Sequence, residues 1–280
     1  MMSALPAEQN QLEDIEIALL LEGLYRVYGF DFRDYSHASI KRRILERMRA
    51  EKIATVSAYQ DCVLHDDACM ERLLMGLSVH VTSMFRDPSF YLTFRQKVVP
   101  ILRTYPTVRI WHAGCSTGEE VYSMAILLQE EGLYRKCVIY ATDISREVLR
   151  KAREGIFPLS AMQEYTQNYM RAGGKHEFSD YYTAHYDNVI FHPALKTNVV
   201  FSEHNLVTDG SFNEFHVILC RNVMIYFNKA LQERVHNLVY ESLSMFGVFG
   251  LGNKESLKFT PRQDFYEKLD SRDKLYRKVR

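Results

Sequence analysis

The sequence has no segment that reads as a leader or an anchor. Its opening residues, MMSALPAEQNQLED, lack the basic-then-apolar order of a secretory signal. No later apolar run approaches the roughly 20 residues that span a bilayer, so a cytoplasmic protein without membrane insertion is expected. It has no excess charge of either sign, since 35 basic residues balance 35 acidic ones. No global field gathers nucleic-acid phosphates, so no nucleic-acid partner is expected and any charged partner must meet a local patch. Paired cysteines are missing too: Cys62, Cys69, Cys115, Cys137 and Cys220 are odd in number and show no C-x-x-C spacing. Reduced thiols fit better than a redox pair or a metal clip. His176, His185, His192 and His204 lack ligand spacing, and no metal is expected. A hydrophobic content of 47% in 280 residues excludes disorder as the default and allows one substantial core with a smaller accessory domain.

What the chain does have is a change of period. Up to about residue 76 the spacing is helical, with Ile40, Ile44 and Met48 forming an i, i+4, i+8 stripe. Lys41, Arg42, Arg43, Arg47, Arg49 and Lys52 occupy much of the remaining surface of that helix. It is either a solvated face partnered by Glu46 and Glu51 or a docking surface for an acidic protein. From about residue 107, β-rich runs at 108–111, 137–143, 198–206 and 215–222 alternate with helical ones, the clearest at 119–129. Strand-helix-strand succession implies a parallel sheet with right-handed crossovers, a Rossmann-like α/β domain. Its ligand should lie beyond the carboxyl ends of the strands.

The strand exits carry the chemistry. After the first strand, Gly114 and Gly118 stand four apart, which is not the dinucleotide fingerprint, and no P-loop lysine follows. Gly114 lets a ligand approach the backbone closely. Two carboxylates open the next helix, where a pyrophosphate would want the positive dipole end for itself. A positively charged ligand, such as a sulfonium with an amino group, is better served by Glu119; dipole complementarity is enough to explain Glu120. At the second exit Asp143 either accepts the ribose hydroxyls of a nucleoside or caps the following helix, a role open also to Ser145. The fourth exit carries Arg221 and Asn222, then Tyr226. It lacks the D-P-P-Y-like motif of adenine methyltransferases, which counts against base methylation.

The segments 82–87 (TSMFRD), 116–120 (STGEE), 141–144 (ATDI), 205–206 (NL) and 220–227 (CRNVMIYF) occur in that order. Together they resemble the CheR family of chemotaxis receptor methyltransferases, which esterify glutamate side chains. The resemblance implies an all-α domain over 1–76, a linker and cofactor-covering segment over 77–106, and an α/β methyltransferase domain over 107–280 with a small β-subdomain inserted at about 157–197. It implies S-adenosyl-L-methionine as cofactor, with S-adenosyl-L-homocysteine as product. Thr82, Arg86, Glu119, Asp143, Asn205, Leu206, Arg221 and Asn222 match cofactor contacts. Arg86 and Tyr226 match the pair that positions the acceptor. Two positions depart from the family pattern: His80, commonly Asn, and 252–255 (GNKE), often G-H-S-E. The tail over 273–279 is expected to close the sheet as its antiparallel edge.

Partners follow from the same resemblance. The cytoplasmic methylation helices of a chemoreceptor are acidic and would meet the basic helix at about 40–52, with Arg43 and Arg47 as the charges to reverse. The β-subdomain, with Arg171, Gly173 and Gly174, either docks a receptor peptide at a sheet edge or is a structural insert. A glutamate carboxylate, with an ordinary pKa of about 4.3, is already a nucleophile and needs no general base. Two rivals are a cofactor-retaining scaffold and a small-molecule methyltransferase.

Overall fold

The computed structural model describes residues 6–77, 82–258 and 260–280, so His80 lies outside the described residues. The chain forms two units, Met1–His80 with Tyr226–Gln232, and Val81–Ile225 with Glu233–Arg280.

The first unit is built on α1 (Pro6–Tyr28), α2 (His37–Glu51), α3 (Val56–His65) and α4 (Asp67–Leu77). The stripe of α2 is buried as its spacing requires: Ile40, Ile44 and Met48 are at most 5% exposed. The helix stops at Lys52, whose left-handed φ of 58° turns its N–H back onto the carbonyls of Met48 and Arg49. Helix α3 starts at Thr55, whose hydroxyl accepts the Ala58 N–H at 3.2 Å. The segment 226–232 packs here as well, with the Ser36 N–H donating to the Tyr226 carbonyl at 2.8 Å and Asn228 donating to Asp34 at 3.0 Å.

The basic surface expected on α2 needs correction. Arg43 is buried, donates to the Leu77 carbonyl, and lies over the Tyr226 ring at 4.7 Å from its centroid. It is part of the packing, because position 43 falls beside the apolar stripe. Arg47 is tied to Glu51 at 2.7 Å, and Lys41 to Asp14 at 2.6 Å. The basic side chains left exposed are Arg42, Arg49 and Lys52.

In the second unit a helical segment runs through α5 (Pro88–Thr93), a π-helical turn (Phe94–Val98) and α6 (Val99–Arg103). Then follow β1 (Val108–Ala113), α7 (Glu119–Glu130), β2 (Cys137–Asp143), α8 (Arg146–Glu154), β3 (Ile156–Pro158), α9 (Met162–Arg171), β4 (Tyr182–His185), β5 (Asn188–Phe191), β6 (Val199–Glu203), β7 (Phe215–Cys220), α10 (Lys229–Ser242), β8 (Leu243–Leu251), β9 (Tyr266–Asp270) and β10 (Leu275–Lys278). Seven strands form one sheet in the order β6-β2-β1-β7-β8-β10-β9. The first five pair in parallel, and β10 pairs antiparallel with both β8 and β9. In β1 and β7 five of six residues are buried, as strands covered on both faces require. The chain leaves β1 for β2 on one side and later returns to β7 on the other, which puts the topological switch point at the carboxyl end of β1.

Two features refine the expected outline. The inserted region contributes a separate antiparallel sheet, β3-β5-β4. The tail strand β10 is not the edge: it fills the gap between β8 and β9, pairing Leu275 with Gly250 and Lys278 with Tyr266, and β9 takes the outer position. A hairpin laid down as outer strand first and inner strand second gives this order, which local sequence does not encode.

Candidate functional site

The exits of β1 and β2 are joined by backbone hydrogen bonds. The Gly114 and Cys115 N–H groups both donate to the Thr142 carbonyl, at 2.9 and 2.8 Å. Gly114 has φ 78°, and a Cβ there would meet Val223 Cγ2 at 2.6 Å, so the position requires glycine both for conformation and for close approach. Ser116 and Asn222 are held in the left-handed region at φ 50° and 62°, a strained setting of the kind concentrated at functional turns.

Asp143 is at the centre of this arrangement. One oxygen accepts the Ser116 N–H at 2.9 Å and the other the Ser145 N–H at 3.1 Å. Burial pushes its carboxyl above the usual range, against the pull of the Ser145, Ser116 and Ile144 N–H groups. The cap of α8 is Ser145, whose hydroxyl accepts from the Val148 N–H. Asp143 is thereby relieved of capping and retains lone pairs for a ligand.

Glu119 is 6% exposed at the start of α7. Its carboxylate accepts from the Thr117 hydroxyl at 2.7 Å and lies 3.5 Å from the Tyr165 hydroxyl. Among the described residues no cation pairs with it. Burial raises its carboxyl, outweighing those hydroxyls and its own backbone N–H. A buried carboxylate without a counter-charge is costly and suits a cationic ligand.

Glu120, by contrast, is far more than a complement to the helix dipole. It accepts from Arg221 at 2.7 Å and lies 2.9 Å from His112 Nδ1. Burial pushes its carboxyl up, but Arg221 and His112 more than offset this and hold it at about 2. The Arg221 guanidinium, 1% exposed, also donates to Asp87 at 2.9 Å and to the Arg86 carbonyl at 3.2 Å, and stacks on Phe90 at 4.0 Å. Arg221 thus ties the end of β7 to α7 and to the segment that carries Arg86. Because Glu120 titrates at about 2 when folded against an ordinary 4.5, its stabilisation is present above about pH 4.5 and is lost as pH falls through about 2, some 3 kcal/mol in all. Glu120→Gln is expected to cost about 3 kcal/mol at neutral pH and to flatten the acid limb of a stability profile between those values. An unchanged acid limb in urea unfolding would contradict it.

A second carboxylate that the sequence did not single out organises the exit of β7. Glu255 is 6% exposed. One oxygen accepts the N–H groups of Asn222 and Gly252 at 2.8 and 2.7 Å; the other accepts those of Val223 and Met224 at 3.0 and 2.8 Å. The departure from the family pattern at 252–255 therefore retains its functional end, Gly252 and Glu255, and varies only at the exposed Asn253 and Lys254.

The remaining expected residues are placed as follows. Thr82 and Arg86 are half-buried; Phe85, between them, donates its N–H to the Ser123 hydroxyl at 2.9 Å. Asn205 closes a local turn, its Oδ1 accepting the Val207 N–H at 2.9 Å, and Leu206 is buried. Tyr226 packs in the helical unit, as described above. Glu51, Cys62 and Cys69 bring one ligand atom each within 4.8 Å of one another. Arg47 and Arg72 already engage Glu51, and burial pushes the Cys69 thiol up to about 12. The cluster is therefore a packed, hydrogen-bonded corner of the helices rather than thiolates poised for a metal.

Residues 80–274 match the CheR methyltransferase SAM-binding domain, and residues 15–78 match the CheR methyltransferase all-alpha domain. A protein of Pseudomonas putida called Cher3 is 51% identical over 95% of this chain and 97% of its own. The chemotaxis protein methyltransferase of Salmonella typhimurium is 28% identical over 94% of each chain, and that of Listeria monocytogenes 28% identical over 83% of this chain and 86% of its own. A chain matched by both family models over nearly its whole length gives one conclusion: this chain belongs to the CheR methyltransferase family, with S-adenosylmethionine as its cofactor.

Proposed function

We propose that this protein methylates glutamate side chains on the cytoplasmic methylation helices of a chemoreceptor, forming methyl esters, and does so in the cytoplasm. The observation that carries the cofactor half is Glu119, a buried carboxylate whose missing counter-charge the amino group of S-adenosylmethionine would supply. The acceptor half is supported by relatives named chemotaxis protein methyltransferase. Among the described residues no helix is long and apolar enough to cross a membrane, and the five cysteines are free thiols, in keeping with a reducing compartment.

The residues present fit the cofactor. Asp143 would accept the ribose hydroxyls, Gly114 would admit the ligand to the backbone, and Asn205 and Leu206 would flank the adenine, the Asn205 amide nitrogen donating. Thr82 and Asn222 would complete the contacts. When bound, the cofactor supplies an electrophilic methyl on a sulfonium. Everything else is positioning: holding a carboxylate oxygen in line and excluding water can account for roughly 7–11 kcal/mol of a barrier. No residue needs to remove a proton. Arg86 steers the acceptor anion; too firm a grip would stabilise the ground state over a transition state in which charge is neutralised. The hydrogen bond to the acceptor that the family resemblance gives Tyr226 is assigned on that resemblance alone. Arg221 acts through its neighbours, fixing the Arg86 backbone and Asp87, and is a positioning residue.

Docking of the acidic receptor falls to Arg42, Arg49 and Lys52, the charges that α2 and its C-terminus expose. The open edges β3 and β4 of the small sheet supply the backbone groups that an added receptor peptide would need. Reversing Arg42 and Arg49 together to Glu is expected to lower receptor methylation about tenfold at low salt, with the difference shrinking as salt rises. Affinity for S-adenosyl-L-homocysteine should not change. Equal receptor methylation by that variant at low salt would remove α2 from the docking surface.

The reaction itself is tested with methyl-labelled cofactor and receptor cytoplasmic fragments. Alkali-labile label released as methanol is the expected product of a glutamyl ester. Alkali-stable label would mean N-methylation, and absence of label would favour a cofactor-retaining scaffold.

A further inference from the structure

The segment that carries Thr82 and Arg86 is strained, and its shape is held from two sides. Phe85 and Asp87 stand in the left-handed region at φ 51° and 57°, which residues with a side chain keep only where their surroundings enforce it. On one side Arg221 donates to the Arg86 carbonyl and to Asp87. On the other side the hold comes from α9, the helix of the inserted region. The Asn168 amide donates to the Met84 carbonyl at 3.1 Å and to the Ser83 hydroxyl at 3.3 Å, and Ser83 donates in turn to Glu164 at 2.6 Å. Tyr169 sets its ring edge-on to Phe85, with centroids 5.3 Å apart.

The same helix reaches Glu119. Tyr165, three residues before Asn168 and so on a neighbouring part of the same face, is 5% exposed and brings its hydroxyl to 3.5 Å from Glu119 Oε1, while the Thr117 hydroxyl engages Oε2. Packing alone does not call for a hydroxyl at 165, because the ring already meets Phe157, with centroids 6.5 Å apart, and a phenylalanine would do the same. Polar groups of α9 are thus aimed at both walls of the site, the carboxylate at the start of α7 and the backbone of segment 82–87. The geometry points to Tyr165 and Asn168 as positioning residues for the cofactor: Tyr165 orients the Glu119 carboxylate, and Asn168 fixes the segment that presents Thr82 and Arg86. This inference rests on the reading of Glu119, Thr82 and Arg86 as cofactor contacts, and it gives the inserted region a part in that pocket.

Calorimetric titration of the full chain with S-adenosyl-L-homocysteine and with methylthioadenosine, which keeps the nucleoside and lacks the amino-acid portion, tests this. Tyr165→Phe is expected to weaken S-adenosyl-L-homocysteine about fivefold and to leave methylthioadenosine unchanged. In a Glu119→Gln background the same substitution should have less than about a twofold effect, because its target is already gone. Asn168→Ala should weaken S-adenosyl-L-homocysteine about fivefold, and less than about twofold in a Thr82→Ala, Arg86→Ala background. Tyr165→Phe keeps the ring packing, so it decides the matter even if Asn168→Ala disturbs the fold. If Glu119→Gln binds S-adenosyl-L-homocysteine like wild type, the reading of Glu119 fails and takes the role of Tyr165 with it. If Glu119→Gln weakens binding while Tyr165→Phe or Asn168→Ala stays within about twofold of wild type, the reading stands and this proposal is overturned. Equal losses in the wild-type and variant backgrounds would show that α9 acts on packing alone, and would overturn it too.

Discussion

Replacing Glu255 by alanine is expected to lower stability by about 4 kcal/mol and the unfolding temperature by about 10 °C. Four backbone N–H groups, those of Asn222, Val223, Met224 and Gly252, lie within 3.0 Å of its two oxygens. Each buried donor left without a partner costs about 1–3 kcal/mol, and a loop that relaxes towards water recovers part of the sum. The same N–H groups hold Asn222 at its left-handed φ of 62°, so the exit of β7 should lose its shape together with its stability. Glu255→Gln keeps the volume but presents an NH2 to two N–H groups, and should recover less than half of the loss. A thermal transition within about 2 °C of wild type for Glu255→Ala would show that the four hydrogen bonds do not organise this exit.

Glu119→Gln is expected to move stability and binding in opposite directions. The carboxyl is raised by burial, so its charged form is disfavoured in the folded protein; that penalty grows as pH rises from the ordinary carboxylate pKa to the raised folded one and is fully present above it. The neutral isostere keeps the acceptor for the Thr117 hydroxyl and should stabilise the ligand-free protein by about 1 kcal/mol at neutral pH. Affinity for S-adenosyl-L-homocysteine should fall about 100-fold, because a charge-assisted contact to the ligand amino group is removed from a dry site. Methylthioadenosine, which lacks the amino-acid portion, should bind wild type and variant alike. If both ligands weakened equally, Glu119 would be shaping the pocket rather than meeting the amino group.

The parts of this site legible in the sequence are those encoded locally. A β-rich run ending in Ala113-Gly114, another ending in Asp143, and a third ending in Cys220-Arg221 mark strand exits, because period and glycine placement are short-range signals. The helix α2 was legible through its stripe for the same reason. What escaped is set by partners distant in sequence. Glu120 and Arg221 are 101 residues apart, and Glu255 caps N–H groups more than 30 residues away. Nothing in the periodicity of Glu119-Glu120 tells that the second carboxylate meets an arginine and a histidine while the first meets none. The place of Arg43 beside the stripe is local, but the partners that bury it, the Leu77 carbonyl and the Tyr226 ring, are 34 or more residues away. The order β8-β10-β9 is likewise a choice between two hairpin placements that the same residues satisfy.

The central claim, that the exits of β1, β2 and β7 form the S-adenosylmethionine pocket, is tested most directly by calorimetric titration of the full chain with S-adenosyl-L-homocysteine, wild type against Asp143→Ala. The two oxygens of Asp143 are already aligned by Ser116 and Ser145, so the ribose hydroxyls would meet a preset acceptor. Saturable binding that weakens about 100-fold in the variant is the predicted result. Binding within about threefold of wild type would contradict it and move the cofactor away from these strand ends.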